Sequence, residues 1–237
     1  MMRRLQWRGI GVSVTELPVG EAADFAGFDL FFIGGGQDFE QELIMRDLAA
    51  GKGRELRAAA ADGKTFLAVC GGFQMLGNYY RTWDGVQLDY LGIADFYTVG
   101  AKKRMIGNFA FRCGEASGGS IVLGFENHSG RTWLGEGVQP LGCVLLGYGN
   151  NGEDGTEGVR SGNVFGTYSH GPVLPKNPAL CDHILLTALR QKYGAAELEP
   201  LPDAEEDMAR EACLRPCFYG RRFKTRVLFR KCKRHRF

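Results

Sequence analysis

Two short apolar runs, each ending in a cluster of glycines, constrain the fold of this chain more than any other feature. Residues 28–33 run into Gly34-Gly35-Gly36, and residues 65–69 run into Cys70-Gly71-Gly72. Unbroken apolar runs of this length are typical of strands buried on both faces of a parallel sheet. The glycines that follow predict tight loops at the carboxyl ends of two such strands.

The segments around these runs predict a strand–helix–strand order. Residues 38–62 are rich in Ala, Leu, Glu and Arg, which favours helices interrupted at Gly51-Lys52-Gly53. A further helix is expected to start after the second glycine cluster, over residues 73–80. This order predicts an α/β fold with a mostly parallel central sheet flanked by helices.

The second half of the chain combines a β-rich region with a final strand and helix. Short β-favouring runs separated by Gly, Asn and Asp occupy residues 88–166 and predict an insertion of meandering strands. Residues 163–168 predict another core strand, which leads into Ser169-His170-Gly171-Pro172. A helix with proline near its start is predicted for residues 178–193.

Length and composition fit one globular domain. The chain has 237 residues, 44% hydrophobic and 24% charged, which supports a single hydrophobic core. No apolar run approaches the roughly 20 residues of a membrane-spanning helix, and the basic start resembles no secretory signal. The seven cysteines show no C-x-x-C pairs, which favours reduced thiols. We therefore expect a cytoplasmic protein.

The net charge of +2 hides a strong asymmetry. Residues 215–237 carry ten Lys and Arg and no acid, so the preceding part has 19 basic and 27 acidic residues, a balance of −8. We predict a domain over residues 1–212 and an atypical basic tail over 213–237. A basic tail can bind nucleic acid or an anionic membrane, but this one lacks hydrophobic periodicity, and we interpret it as a solvated or aberrant terminus without a nucleic-acid partner.

Cys70 is the predicted nucleophile. A cysteine between an apolar strand and two glycines is the thiol form of the nucleophile elbow, in which the following helix start favours the thiolate. The backbone N–H groups of Gly71 and Gly36 are predicted to form an oxyanion hole. The competing interpretation is a buried cysteine that only fills space, which we favour for Cys113, Cys143 and Cys181.

A thiolate nucleophile needs a proton carrier, and His170 is the predicted one because it follows a core strand directly. His128 is expected in a loop, where it either binds substrate or hydrogen-bonds its own loop. His183, in a predicted helix, and His235, in the tail, carry no such indication.

Several stretches resemble the class I glutamine amidotransferase family, in its cobyric-acid-synthase-like branch. The resemblance rests on residues 67–77 around Cys70 and on residues 166–172 around His170. Three further stretches, residues 31–38, residues 124–132 and residues 147–151 leading to 170–178, are similar to the glutaminase subunits of lipid II isoglutaminyl synthases. The similarity covers roughly residues 7–210.

This resemblance implies a flavodoxin-like domain that hydrolyses L-glutamine and passes ammonia to a Mur-ligase-like partner, MurT, in a heterodimer. The partner would use ATP and Mg²⁺ to amidate the D-glutamate α-carboxylate of lipid II, near the inner face of the membrane. No cofactor or metal is expected in this chain. The resemblance also implies that Arg104 and Gln74 bind the substrate, with Arg104 gripping the α-carboxylate in a two-point bond.

The chain departs from the family in three places. Many class I relatives have a glutamate two residues after the histidine, where this chain has Pro172. Either the cysteine–histidine pair suffices or a carboxylate comes from elsewhere, including the partner. The chain opens in what resembles the first helix, so the sheet is expected to lack a strand, and the tail differs from the family's C-terminal helix.

Three other functions remain open at this point. A glutaminase of corrinoid amidation has the same motifs, although it is normally fused to a larger synthetase domain. A cysteine peptidase or γ-glutamyl hydrolase would share the elbow. A non-catalytic module that kept the fold would be expected to lose the nucleophile or the base, and both are present.

Overall fold

The computed structural model describes residues 1–22, 24–36, 38–114 and 119–219. The helices are α1 Met2–Gln6, α2 Asp38–Asp47, α3 Gly53–Ala61, α4 Gly71–Met75, α5 Val173–Lys176, α6 Pro178–Tyr193 and α7 Ala204–Tyr219. The strands are β1 Leu30–Ile33, β2 Thr65–Val69, β3 Tyr79–Arg81, β4 Gln87–Asp89, β5 Phe96–Cys113, β6 Ile121–Leu134, β7 Gly142–Leu146, β8 Thr156–Glu157, β9 Val159–Ser161 and β10 Val164–Thr167.

The first sheet contains the three predicted core strands in the order β1-β2-β10-β9. Strands β1 and β10 both run parallel to β2, and only β9 is antiparallel to its neighbour. Ile33 pairs with Ala68, and Thr167 pairs with Val69, so the three parallel strands end at the same level. Their loops therefore meet at one edge, as expected for a parallel sheet. Within the described residues, β1 is the outer strand.

The predicted β-rich insertion forms a second sheet, with the order β4-β3-β5-β7-β8 and with β6 paired to β5. Its strands are much longer than the sequence predicted, because β5 has 18 residues and β6 has 14. The two pair along almost their whole length, with a shift in register between Gly100 and Met105. The ladder is interrupted at this irregularity, and the pairing of β5 with β6 resumes at Met105.

The predicted helix over residues 73–80 is wrong in its extent. Helix α4 ends at Met75, and residues 79–81 form strand β3. A side chain at Gly77 would lie 2.5 Å from the Phe96 ring, so the backbone there passes directly against β5. The two tyrosines that follow favour a strand, and pairing with β5 decides the conformation.

The other helix predictions are confirmed. The helical segment before β2 is interrupted by a π-type turn at Leu48–Lys52, where Gly51 has a φ of 147°. Helix α6 begins at Pro178 and ends at Tyr193, as predicted. Helix α7 continues across the predicted domain boundary at residue 212. Residues 220–237 lie outside the described part of the chain, so the separate basic tail stays a prediction.

The main core lies between the first sheet and the helices, and phenylalanine rings fill much of it. Phe31 and Phe66 stack at 4.6 Å between ring centroids, while Phe73 of α4 packs on Phe96 of the second sheet. These rings join the helix after Cys70 to both sheets. Within the described residues, no helix is long and apolar enough to cross a membrane.

Gly166 offers a test of this packing. A Cβ atom at Gly166 in β10 would lie 2.3 Å from a carbon of the Phe73 ring. We expect Gly166→Ala to lower the free energy of unfolding by about 1–3 kcal/mol, the usual cost of overpacking. Gly27→Ala is the matched control, because no atom lies within 4 Å of its added Cβ. Denaturant unfolding of both variants measures the difference, and equal stabilities would contradict the packing described.

Candidate active site

Cys70 occupies a strained turn between β2 and α4. Its φ of 53° is positive, and it is the one non-glycine residue with positive φ in the described chain. A cysteine in this conformation is costly and is characteristic of a nucleophile elbow. Its N–H donates a hydrogen bond of 2.9 Å to the carbonyl oxygen of Thr167 in β10. The half-buried thiol therefore lies at the edge where the three parallel strands end.

The Gly34-Gly35-Gly36 loop packs directly against this turn. A Cβ atom at Gly72 would lie 2.4 Å from the carbonyl oxygen of Ile33, and one at Gly35 would lie 3.3 Å from the Cβ of Cys70. A Cβ atom at Gly71 would lie 2.9 Å from the backbone nitrogen of Gly36. The two glycines predicted to form an oxyanion hole are thus neighbours, and that role stays a prediction.

Helix α4 has only five residues, which changes the expected source of thiolate stabilisation. Its macrodipole is small because few peptide units are aligned. Individual backbone N–H groups of the turn and of the glycine loop are then the groups available to stabilise negative charge. A helix that continued to residue 80, as predicted, would have a larger dipole than the five residues of α4 provide.

His170 is fixed by the main chain of strand β6. Its N–H donates to the carbonyl oxygen of Phe125 at 2.7 Å, and its Nδ1 lies 3.2 Å from the same oxygen. A carbonyl oxygen only accepts, so this contact requires the proton on Nδ1 and leaves Nε2 free to take a proton. The Phe125 carbonyl thus orients the imidazole in a chain where Pro172, and not a glutamate, stands two residues after His170.

Burial lowers the pKa of His170 below its usual 6.5, the largest of several effects on this group. The Phe125 carbonyl opposes that shift by binding the Nδ1 proton, while the nearby His128 and Arg104 reinforce it. The imidazole is therefore neutral at physiological pH, the state in which it can act as a base.

Arg104 and His128 both lie on strands, although a loop was predicted for His128. Arg104 belongs to β5, where Nε donates to the Asn127 side chain at 2.8 Å and Nη2 donates to the Asn127 carbonyl at 3.0 Å. The stretch around His128 reads as loop because glycines interrupt the pattern, but long-range pairing of β5 with β6 outweighs that local signal. Asn127 lies within the family-like stretch 124–132, and its role at the site is visible only from its contacts with Arg104.

His128 is buried inside the second sheet, with 2% of its surface exposed. Its ring stacks on Tyr168 at 3.6 Å, nearly parallel, and Nδ1 contacts the carbonyl oxygen of Gly130 at 2.8 Å. It thus hydrogen-bonds its own strand, one of the two alternatives considered from sequence. Substrate binding by His128 stays a prediction.

Gln74 belongs to a buried polar network that connects the parts of the site. Its amide accepts from Gln41 and donates to the Tyr168 hydroxyl, both at 3.1 Å. The Gln41 amide also donates to the carbonyl of Gly36, and the Tyr168 hydroxyl contacts Thr132. Both polar atoms of the Gln74 amide are engaged here, and its predicted contact with substrate stays a prediction. Nothing in the local sequence around Gln41 or Tyr168 marks them as network members.

The comparisons with known proteins agree with this architecture. A family model described as the CobB/CobQ-like glutamine amidotransferase domain matches residues 6–178. Two relatives carry the name lipid II isoglutaminyl synthase (glutamine-hydrolyzing) subunit GatD. The Staphylococcus aureus protein is 40% identical over 90% of this chain and 86% of its own length. The Streptococcus pneumoniae protein is 42% identical over 78% of this chain and 71% of its own.

More distant proteins share parts of the chain or the fold alone. A cobyric acid synthase from Pelotomaculum thermopropionicum is 34% identical and matches 71% of this chain, but only 34% of its own length. A crystal structure of a glutamine amidotransferase is 19% identical, with a TM-score of 0.54 over 78% of this chain and 90% of that one. The structure of PurLQS from Thermotoga maritima has the same TM-score and identity over 79% of this chain and 89% of that one.

The fold and the family match define a glutamine amidotransferase of the α/β class. The chain belongs to the CobB/CobQ-like glutamine amidotransferase family, and within that family to the group of GatD subunits.

The lowered pKa of His170 predicts how glutamine hydrolysis depends on pH. Only the neutral imidazole accepts a proton, so kcat/KM should rise with pH through the pKa of His170 and be lost as pH falls below it. The midpoint of the acid limb is expected below 6.5, because burial lowers that pKa. A pH–rate profile of glutaminase activity measures this midpoint. An acid limb centred at or above 6.5 would contradict the environment described for His170.

Proposed function

We propose that this chain is the glutaminase subunit of a lipid II isoglutaminyl synthase. It hydrolyses L-glutamine at Cys70 and supplies ammonia to a cytoplasmic Mur-ligase-like partner. The partner uses ATP and Mg²⁺ to convert the D-glutamate α-carboxylate of lipid II to D-isoglutamine. The observation that carries the proposal is the strained turn at Cys70, which is hydrogen-bonded to the strand β10 that leads to His170. The chain that contains this turn is similar to two GatD subunits over most of its length.

The proposed reaction proceeds in two steps. Nε2 of His170 takes the proton of the Cys70 thiol, the resulting thiolate adds to the γ-amide carbon of glutamine, and the backbone N–H groups of Gly36 and Gly71 stabilise the oxyanion. Collapse of this intermediate breaks the C–N bond, with His170 protonating the departing ammonia, and leaves a glutamyl thioester. His170 then removes a proton from water, which attacks the thioester and releases glutamate and the thiolate.

Arg104 is the proposed anchor for the free amino acid. Asn127 holds the guanidinium through Nε and Nη2, which leaves three of its five N–H donors for another acceptor. A guanidinium fixed in this way can bind the α-carboxylate of glutamine through two parallel hydrogen bonds. This contact distinguishes a free amino acid from a glutamine side chain within a peptide, and so favours a glutaminase over a peptidase.

Corrinoid amidation is the second candidate, because cobyric acid synthases match much of this chain. In that relative the matching region covers about a third of the protein. The two GatD subunits instead match over most of their own lengths and at higher identity. This difference in coverage favours the cell-wall reaction.

Substitution of Cys70 tests the proposed function in the complex. We expect Cys70→Ser, copurified with the Mur-ligase-like partner, to lose amidation of lipid II from glutamine by at least 10³-fold, since a serine hydroxyl lacks the thiolate's reactivity. Added ammonium should restore the product, because the partner would receive ammonia directly. Cys213→Ser is the control, since Cys213 is exposed on α7. Mass spectrometry of lipid II measures D-isoglutamine.

Each failure in this experiment has a different meaning. Amidation from glutamine by Cys70→Ser would exclude Cys70 as the nucleophile. Retained glutaminase activity of the unsubstituted complex without any amidation of lipid II would instead point to a different acceptor, which a corrinoid carboxylic acid tests directly.

Substitution of Arg104 tests the proposed substrate contact. Arg104→Ala should raise KM for glutamine about 10- to 100-fold, the range expected for losing charge-assisted hydrogen bonds worth about 1.5–3 kcal/mol. Asn127→Ala should have a smaller effect in the same direction, because it frees the guanidinium without removing it. Lys103→Ala is the control, since Lys103 is an exposed neighbouring cation. Steady-state kinetics measure these values, and an unchanged KM in Arg104→Ala would exclude the contact.

A further inference from the structure

We propose that Glu157, an acid buried beneath the active-site edge, is a positioning residue for both Cys70 and His170. This inference rests on the proposed catalytic roles of these two residues. Glu157 lies in the two-residue strand β8 of the second sheet, paired with Gly142 of β7. Its side chain leaves that sheet and reaches the end of β10 in the first sheet, and none of its surface is exposed.

One oxygen of this carboxyl group binds two consecutive residues of the histidine-bearing segment. Glu157 Oε1 accepts a hydrogen bond of 2.6 Å from the Thr167 hydroxyl and one of 2.9 Å from the Tyr168 N–H. All three residues are buried. The peptide that leads to His170 is therefore fixed by a side chain from another sheet, without any contact between Glu157 and the imidazole.

Thr167 transmits this contact in two directions. Its hydroxyl oxygen also accepts the N–H of Ser169 at 2.9 Å, which sets the turn just before His170. Its carbonyl oxygen accepts the N–H of Cys70 at 2.9 Å, which supports the strained turn of the nucleophile. Thr167 thus links Glu157 to the main chain at Cys70 and to the main chain at Ser169, the residue before His170.

The surroundings of Glu157 favour an uncharged acid. Burial raises its pKa to about 8, and the nearby Glu126 adds to the shift, while the bonds from Thr167 and Tyr168 oppose it. Within the described residues, Oε2 has no hydrogen-bond partner. The contribution of Glu157 is therefore a fixed acceptor atom, which the carbonyl of a glutamine also supplies.

This chemistry distinguishes positioning from a requirement for charge. Glu157→Gln keeps an acceptor at the position of Oε1 and should retain kcat within about threefold. Glu157→Ala removes the acceptor and leaves the Thr167 hydroxyl and the Tyr168 N–H without it. A displacement of catalytic groups by about 1 Å costs on the order of 100-fold in rate, so kcat should fall about 10- to 100-fold. KM should change less than threefold, because Glu157 makes no contact at the proposed carboxylate anchor.

The experiment uses the full chain and measures kcat, KM and the alkylation rate of Cys70 by a diazoketone analogue of glutamine. Thr167→Val and Thr167→Ser form a second pair, in which valine keeps the shape but loses the hydroxyl and serine retains it. Valine should lower kcat and the alkylation rate as Glu157→Ala does, and serine should restore most of both. Leu56→Ala, a core variant in α3, controls for lost stability and should keep kcat.

Three results would overturn the inference. They are an unchanged kcat in both Glu157→Ala and Thr167→Val, an equal loss in Leu56→Ala at matched stability, or a loss confined to KM. If Glu157→Ala does not fold, the Thr167 pair decides alone. If the unsubstituted chain is alkylated at a residue other than Cys70, the proposed catalytic assignment fails and this inference fails with it, whereas the three results above leave that assignment intact.

Discussion

The parallel pairing of β2 with β10 is the interaction on which the rest of the site depends. It brings the carbonyl of Thr167 to the N–H of Cys70, and so joins a turn and a loop that are about a hundred residues apart in sequence. Because β1 pairs with the other side of β2, the Gly34-Gly35-Gly36 loop arrives at the same edge. Sheet geometry alone thereby brings the proposed nucleophile, the segment of the proposed base and the backbone N–H groups of the glycine loop to one edge.

The second sheet contributes the groups that hold the side chains and the main chain of the site in place. Strand β6 supplies the carbonyl that orients His170, and it carries Asn127, which holds Arg104. Strand β8 supplies the buried acid beneath the histidine-bearing segment. The β-rich insertion is therefore part of the site, since two of its strands, β6 and β8, hold the Arg104 side chain and the segment that carries His170.

The elements that could be predicted from the sequence are those set by residues close together in the chain. The apolar runs gave β1 and β2 with their glycine loops, and Pro178 marked the start of α6, because strand burial and proline placement leave traces within a few residues. The lengths of β5 and β6 could not be predicted, since they depend on a pairing between distant segments that overrides glycines. For the same reason the early end of α4, the burial of His128 and the engagement of Gln74 became visible only in three dimensions.

Orientation of a base by a main-chain carbonyl has a consequence for how this site tolerates change. An aspartate or glutamate in that position would titrate, and a single substitution could remove it. The carbonyl of Phe125 does not titrate, and a substitution of the phenylalanine does not remove it, because every residue type carries the same main-chain oxygen. The orientation of the imidazole thus depends on the register of β6 against the histidine-bearing segment, and neither a substitution at position 125 nor a change in acidity removes this acceptor.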